Sequence, residues 1–142
     1  MLRLLACLSL LSVLFAACAV PETHDGAPSR DPGRPLFDGR TLSGWEGDPR
    51  FWRVEDGAIV GESSAAQPCE ATSYLAFTAA EFADFELTLR YRIHAGNSGV
   101  QFRSRVGGFE RVSGYQADLE AGQDWTGGLY EQDGRGVVTR RG

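Results

Sequence analysis

The chain has 142 residues, of which 42% are hydrophobic and 18 are glycine, a composition typical of one globular domain rather than of a disordered chain. Its formal net charge of -5 argues against a nucleic-acid partner, because such partners require a basic surface that displaces phosphate counterions. All 14 basic residues are arginine, whose planar guanidinium suits bidentate contacts, and a GC-rich genome is the alternative explanation for the absence of lysine. An uncharged or hydroxyl-rich ligand fits the net charge better than a nucleic acid does.

The N-terminal segment is typical of a secretory leader. A positive charge at Arg3 precedes an apolar run, and small residues lead up to Cys18. The run is too short for a retained transmembrane helix. Its end, LFAAC, resembles a bacterial lipobox with Phe15 in place of the usual Leu, which implies lipidation of Cys18. We predict a lipoprotein-type signal peptide over residues 1–17, and ordinary cleavage after Ala19 is the alternative.

The leader also implies a location for the protein and a chemical state for its cysteines. No acidic residue follows Cys18, which implies anchoring in the outer membrane, facing the periplasm, if the cell is Gram-negative. Residues 18–34 are rich in Pro, Gly and charge and are predicted to form a flexible tether before a folded domain over residues 35–142. With Cys7 in the leader and Cys18 lipidated, Cys69 has no disulfide partner and is interpreted as a loop or packing residue.

The predicted domain consists of short β-strands. In FWRVEDGAIVGE, the Asp56-Gly57 pair is a hairpin turn signal between two β-like runs. In FADFELTLRYRI, apolar and polar residues alternate from Phe85 to Ile93, which predicts the clearest strand of the chain with Phe85 facing the core. Shorter runs follow, bounded by Gly, Ser or Asp, and no long helical pattern occurs. This pattern predicts an all-β sandwich or jelly roll.

Polar residues occupy every second position in the later strands. If these strands are neighbours, one sheet face carries the following side chains: Glu86, Arg90, Gln101, Arg103, Gln116 and Asp118. Such a face can hydrogen-bond a sugar. An ordinary solvated face with cross-strand ion pairs is the alternative, and alternation alone does not distinguish the two.

Several motifs, in this order, resemble the 3-keto-disaccharide hydrolase domain family: LFDGRTLSGW, W-x-V-x-D-G-x-I-V-G, DFELTLRYRI, GNSGVQFRS, GYQADL and WTGGLYEQDGRG. The resemblance runs from Leu36 to about Val138. It implies a concanavalin A-like jelly-roll β-sandwich that binds carbohydrate on its concave face and cleaves glycosides already oxidised at C3. Because the family's domain usually continues for several more strands, the resemblance also implies a sandwich incomplete at its C-terminus.

The resemblance implies roles for individual residues. The family's SG-x-x-x-R element falls on Ser98, Gly99 and Arg103, and its Q-x-D element on Gln116 and Asp118. The predicted catalytic residues are Asp118 as base or sugar ligand, Arg103 as enolate or hydroxyl clamp, and Glu86 as the other carboxylate. The predicted substrate-binding residues are Gln116, Gln101, Ser98, Trp125 and Tyr130.

The predicted activity is that of a glycoside hydrolase or lyase on 3-keto-glycosides, with abstraction of the C2 proton, elimination of the glycosidic oxygen and hydration. A sugar 3-dehydrogenase is a candidate upstream supplier of the substrate. A non-catalytic, lectin-like carbohydrate-binding module and an inactive fragment of the hydrolase are the alternatives. No zinc-ligand spacing occurs, and we predict no metal and no cofactor. Contact with a membrane is expected only through the lipid anchor.

Overall fold

The structure, a computed structural model, describes residues 2–9, 13–16, 33–108 and 110–141. Within these ranges the chain is all-β without a helix, and its strands pair into two antiparallel sheets. The predicted all-β sandwich class is therefore confirmed. In this part of the chain no helix is long and apolar enough to cross a membrane.

The strands, in chain order, are β1 Leu2–Ser9, β2 Val13–Ala16, β3 Trp45–Glu46, β4 Trp52–Glu55, β5 Ala58–Gly61, β6 Ser73–Phe82, β7 Arg90–Ile93, β8 Asn97–Val106, β9 Val112–Glu120, β10 Leu129–Gln132 and β11 Gly136–Thr139. Sheet A has seven strands in the order β11-β10-β9-β8-β1-β6-β3, and sheet B has four in the order β4-β5-β2-β7. The N-terminal segment therefore contributes an inner strand to each sheet.

Strands β1 and β2 lie within residues 1–17, the stretch predicted to be a signal peptide. Strand β1 pairs with β6 and β8, and β2 pairs with β5 and β7. Cys18, the predicted lipidation site, and most of the predicted tether over residues 18–34 lie outside the described residues. Leader cleavage, lipidation and the tether therefore stay predictions.

The hairpin predicted at Asp56-Gly57 is confirmed. Both residues have positive φ, 49° at Asp56 and 75° at Gly57, and Glu55 pairs with Ala58 across the turn. Asp and Gly tolerate this left-handed conformation, which matches the twist of a two-residue hairpin. The local sequence thus determines the pairing of β4 with β5.

The hydrophobic core lies between the two sheets. Trp52 and Ile59 of sheet B pack with Leu75 of sheet A, joined by Phe37 and Phe51 from the connecting loops. The buried Trp52 Nε1 donates a hydrogen bond of 3.0 Å to Ser73 Oγ, so the indole N–H does not lose its partner on burial. Leu75 therefore identifies the core face of sheet A, the face that packs on sheet B.

The strand predicted from Phe85 to Ile93 forms only at its end, in β7. Residues 83–89 are not in a strand, and Phe85 is 42% exposed, so the prediction that Phe85 faces the core is wrong. Its ring packs instead against Phe82, with the centroids 6.2 Å apart. Strand β7 belongs to sheet B, whereas β8 and β9 are neighbours in sheet A, so Glu86 and Arg90 do not share a sheet face with the polar residues of β8 and β9.

Candidate functional site

Strands β8 and β9 place three predicted site residues side by side. Gln101 lies directly opposite Gln116, and Gly99 lies opposite Asp118. Opposed residues of an antiparallel pair share a face, and alternate residues along a strand return to it. Gln101, Gln116 and Asp118 are therefore together on one face of sheet A, as the alternation predicts.

This face points away from sheet B. Leu5 of β1 pairs with both Ala76 and Gln101, so Ala76 and Gln101 belong to the same face. Ala76 follows Leu75, whose side chain packs in the core, and successive residues of a strand face opposite ways. We call this outward surface of β8 and β9 the polar face.

The polar side chains of this face are buried rather than solvated. The exposed fraction is 0% for Gln101, 5% for Gln116, 7% for Asp118 and 5% for Ser104. Burying polar groups is unfavourable unless they are hydrogen-bonded, so an ordinary solvated sheet face does not describe this surface. The alternative interpretation left open by the alternation is therefore excluded for these residues.

The buried side chains form a chain of hydrogen bonds. Gln116 Nε2 donates to Asp118 Oδ1 at 2.6 Å, and Gln101 Nε2 donates to Gln116 Oε1 at 3.0 Å. Ser104 Oγ lies 3.3 Å from Gln101 Oε1, to which it can donate. We call these residues, Ser104, Gln101, Gln116 and Asp118, the polar relay. Its bonds offset the unfavourable desolvation of the buried amides.

A β-bulge determines which residue of β8 joins the relay. The register of β8 against β9 shifts between Phe102 and Arg105, and Arg103 has a φ of 49°. The extra residue breaks the alternation, so Ser104 rather than Arg103 reaches Gln101. Arg103 is exposed and makes no hydrogen bond or ion pair with any described residue. The alternation contains no signal for this bulge, and for that reason it misses Ser104.

Two glycines give the relay its space. A Cβ atom at Gly99 would lie 2.5 Å from Gln116 Cγ, and one at Gly114 would lie 2.5 Å from Ser104 Oγ. Both distances are shorter than any normal carbon contact, and Gly114 also has a φ of 134°, which side chains disfavour. The relay side chains therefore lie directly over Gly99 and Gly114, where any residue with a Cβ atom would clash with them.

Asp118 is the carboxylate at the end of the relay. Burial raises its pKa, the hydrogen bond from Gln116 lowers it, and the nearby charge of Glu120 raises it further, with burial the largest effect. No arginine pairs with Asp118 among the described residues. Its Oδ1 is held by Gln116, whereas its Oδ2 accepts no hydrogen bond from them. Asp118 therefore combines a fixed orientation with an oxygen that is able to accept a proton.

The loop from β9 to β10 is attached closely to Asp118. The Asp118 amide donates to Gly128 O at 3.0 Å, and the Gly128 amide donates to Trp125 O at 2.7 Å. Glu120 Oε1 accepts from the Trp125 amide at 2.6 Å, which holds the loop to the strand. The Arg140 guanidinium lies 4.9 Å from the centre of the Trp125 ring, so one face of this ring already has a cation against it.

Tyr130 is on the polar face. It lies opposite Gln116 in the pairing of β10 with β9 and is half-buried. Tyr130 is thus one strand away from the relay.

Besides Arg103, two further predicted site residues are not brought to the relay. Ser98 is fully buried, but it lies between Asn97 and Gly99 in β8 and therefore points to the core face, opposite Leu119. Glu86 is exposed in the segment over residues 83–89, outside sheet A. The Ser98 hydroxyl and the Glu86 carboxylate are groups of the kind that the predicted site requires, but the topology separates both from Asp118.

A concavity also lies among the loops. This loop cleft, about 870 Å³ in volume, is bordered by residues 47–51, 68–73, 107–108 and 110–111. In it, Cys69 Sγ donates to Ala71 O at 2.6 Å, and burial raises the pKa of the Cys69 thiol. Across the described ranges, no group of three or more His, Cys, Asp or Glu side chains is arranged to hold a metal ion.

The fold and the site together define an antiparallel β-sandwich with a buried carboxylate of fixed orientation on one sheet face. Residues 32–141 match the family described as the 3-keto-alpha-glucoside-1,2-lyase-like domain, and the chain belongs to this family. The resemblance seen in the motifs is thereby confirmed. Comparison with curated proteins and with solved structures found no significant match. Family membership supports a glycoside lyase-like or hydrolase-like function and a carbohydrate substrate.

Proposed function

We propose that this protein cleaves 3-keto-glycosides by elimination, with Asp118 as the base that removes the proton from C2 of the sugar. The observation that carries the proposal is the state of Asp118: buried, without an arginine partner in the described chain, and held by Gln116 through one oxygen only. A buried carboxylate with a raised pKa is a stronger base than a solvated one.

The chemistry follows from the ketone at C3. The ketone acidifies the C2 hydrogen, so a carboxylate can take this proton while the C–H electrons form an enolate. Collapse of the enolate forms the C1–C2 double bond and breaks the bond from C1 to the glycosidic oxygen, which leaves as an alcohol once it is protonated. Water then adds across the double bond and gives the hydrated sugar. The proton taken by Asp118 returns to solvent or to the product, so the cycle is balanced.

Some of the other predicted site residues are proposed to contact the sugar, and one is not. Tyr130 and Gln116 lie on the polar face with Asp118 and are proposed to contact the sugar. Arg103 is proposed to stabilise the negative charge on the C3 oxygen, because it is exposed and unpaired within the described ranges. Ser98 points to the core face and is left out of the proposed binding set.

A binding module without catalysis is the second candidate, and one observation favours it. The carboxylate next to Asp118 along β9 is Glu120, but Glu120 Oε1 already accepts hydrogen bonds from the Asp124 and Trp125 amides, at 2.5 and 2.6 Å. Glu120 is therefore committed to the loop rather than available as the acid that protonates the leaving group. Glu86 lies elsewhere, so the described site supplies a base without an obvious acid.

The two candidates are separated by a hydrogen-exchange experiment. The full chain is incubated with a nitrophenyl 3-keto-glucoside in D2O, and both release of nitrophenol and exchange of the C2 hydrogen are followed by NMR. For Asp118→Asn we expect both rates to fall by about 10²- to 10⁴-fold, the usual contribution of a positioned general base. Glu86→Gln is the matched control and should keep the exchange rate of the unmodified protein.

Exchange without cleavage would show that Asp118 acts as a base while the leaving-group acid is missing. Binding of the sugar without exchange in any variant would identify a carbohydrate-binding module. Cleavage at an unchanged rate in Asp118→Asn would exclude Asp118 as the base.

The proposal extends to the cell. The predicted leader supports export and anchoring of the protein in the cell envelope through a lipid on Cys18. Mass spectrometry of the mature N-terminus tests this directly, because an unmodified Met1 would contradict it. The 3-keto group must be made by an oxidising enzyme, and a sugar 3-dehydrogenase is the class of reaction that supplies it.

A further inference from the structure

The hydrogen bonds of the polar relay have a defined direction. An ionised carboxylate can only accept, so Asp118 requires the donor end of the Gln116 amide. The acceptor end of Gln116 must then face Gln101, whose own amide nitrogen donates to it at 3.0 Å. The oxygen of Gln101 is left to accept from Ser104. Each group therefore has one role that is consistent with both of its neighbours.

Gln101 is a stronger anchor than Ser104. The Ser104 hydroxyl has a single hydrogen, and it lies 3.0 Å from Phe102 O as well as 3.3 Å from Gln101 Oε1. The two acceptors compete for that hydrogen. The bond from Gln101 to Gln116 has no such competitor, and Gln101 is completely buried, so no water replaces the bond if the Gln101 amide is removed.

We propose that Gln101 is a positioning residue that prevents the Gln116 amide from rotating by 180° and thereby holds Asp118 in its proton-accepting form. If Gln116 rotated, its oxygen would face Asp118, and that arrangement favours a protonated carboxyl, which can donate. Gln101 opposes this rotation because rotated Gln116 would direct its N–H groups at the donor end of Gln101. The inference rests on the proposed function in so far as the base in that reaction is ionised Asp118.

The other groups around Asp118 do not perform this role. Gly99 faces Asp118 from β8 and has no side chain. Gly128, in the loop to β10, has none either. Glu120, on β9, is the charged neighbour and favours protonation of Asp118, whereas Tyr130 of β10 lies opposite Gln116 rather than Asp118. Within the described chain, the relay is therefore the interaction that favours the ionised state.

The test is a carbon-13 NMR titration of the Asp118 carboxyl in the full chain without substrate. Gln101→Met removes the donor without adding charge, and we expect the pKa of Asp118 to rise by about half a unit to one unit. Gln101→Glu should raise it further, because a carboxylate at this position attracts the Gln116 N–H groups and rotates the amide. Ser104→Ala should have a smaller effect in the same direction.

Gln132→Met is the matched control. Gln132 lies on β10 opposite Gly114, and within the described chain no hydrogen bond joins its side chain to the relay, so its replacement should leave the titration unchanged. An unchanged pKa in both Gln101→Met and Gln101→Glu would overturn the inference. If Gln101→Met does not fold, Gln101→Glu and Ser104→Ala still decide it.

Activity measurements separate this inference from the proposed function. In the cleavage assay, a positioning role moves the acid limb of the pH profile of kcat to higher pH in Gln101→Met, whereas a merely structural role lowers kcat at all pH values. If the titration shifts as expected but no variant cleaves a 3-keto-glycoside, the relay stands and the proposed function fails. If the unmodified protein cleaves the sugar and the titration does not shift, the proposed function stands and the positioning role of Gln101 fails.

Discussion

The loop cleft and the polar face shift the pKa of an aspartate in opposite directions. In the loop cleft, Asp48 accepts hydrogen bonds from the Arg50 guanidinium, which lowers the pKa of Asp48. On the polar face, Asp118 has no arginine beside it among the described residues, and burial raises its pKa. The loop cleft is a concavity of about 870 Å³, but its Asp48 is paired with Arg50, whereas Asp118 has no arginine partner among the described residues. The presence of a concavity is therefore a poorer guide to chemistry here than the partners of the carboxylates.

The difference also concerns how the two regions are built. The relay lies on strands and crosses glycine backbone at Gly99 and Gly114, so its side chains are held by packing. The loop cleft is formed by connections, and its ion pair of Asp48 with Arg50 is exposed to solvent. A site that needs one fixed orientation is better placed on strands than on loops.

The largest effect is expected from Gly99→Ala on the polar face. The new Cβ would lie 2.5 Å from Gln116 Cγ, so the strand or the relay must move, and we expect a loss of about 1–3 kcal/mol in the free energy of unfolding. Gly107→Ala, at the border of the loop cleft, is the control, because its Cβ would lie 3.5 Å from Arg111 O. Denaturant unfolding of both variants measures the difference. Equal stability of the two would mean that the relay is not tightly packed.

A smaller effect, of opposite sign in the two regions, is expected in the pH dependence of stability. The pKa of Asp118 is raised above its ordinary 3.8, so ionisation is less favourable in the folded state, and stability falls as pH rises from about 3.8 through the folded pKa. Asp118→Asn removes this loss and should stabilise the protein at pH 7. The pKa of Asp48 is lowered, so Asp48→Asn should remove a contribution that is present above 3.8 and lost at lower pH.

Unfolding curves at several pH values between 3 and 7 measure both slopes. Because Asp48 is close to solvent, its contribution is screened and its variant should change stability only slightly. Destabilisation by Asp118→Asn at pH 7 would show that the relay, rather than burial, dominates the energy of the Asp118 carboxylate.

The smallest effect concerns Cys69 in the loop cleft. Because burial raises the pKa of its thiol, a small fraction is thiolate at pH 7, and alkylation should be slower than that of an unstructured cysteine peptide. Mass spectrometry of the peptide that contains Cys69, after timed labelling with iodoacetamide, measures this rate. Labelling faster than that of the reference peptide would contradict this expectation and would indicate an activated thiol in the loop cleft.

Local patterns predicted the parts of the fold that depend on neighbouring residues. Asp56-Gly57 specifies its own turn, and the alternation in β8 and β9 places Gln101, Gln116 and Asp118 on one face. These predictions hold because side chains alternate along any strand, whatever its partner. Alternation does not report whether a polar face is buried, and the burial of the relay comes only from the structure.

The remaining differences arise from long-range pairing. Glu86 and Arg103 were both expected on the face that carries Asp118, but Glu86 lies in the segment over residues 83–89, outside sheet A, and the bulge places Ser104 rather than Arg103 next to Gln101. Phe85 follows the period of a strand, yet it lies in a segment, residues 83–89, that forms no strand. Period two is satisfied by any extended chain, so it identifies neither the sheet that a strand joins nor an inserted residue.

Strands β1 and β2 link removal of the leader to the tendency of the chain to associate through its strand edges. The residues that a signal peptidase would remove are the residues that pair in the interior of both sheets, with β6 and β8 on one side and β5 and β7 on the other. A leader in the export machinery and an inner strand in a sheet are mutually exclusive states of one segment. Removal of that segment would open an unpaired edge on each of these four neighbouring strands, and such edges accept an extended segment from the same chain or from another.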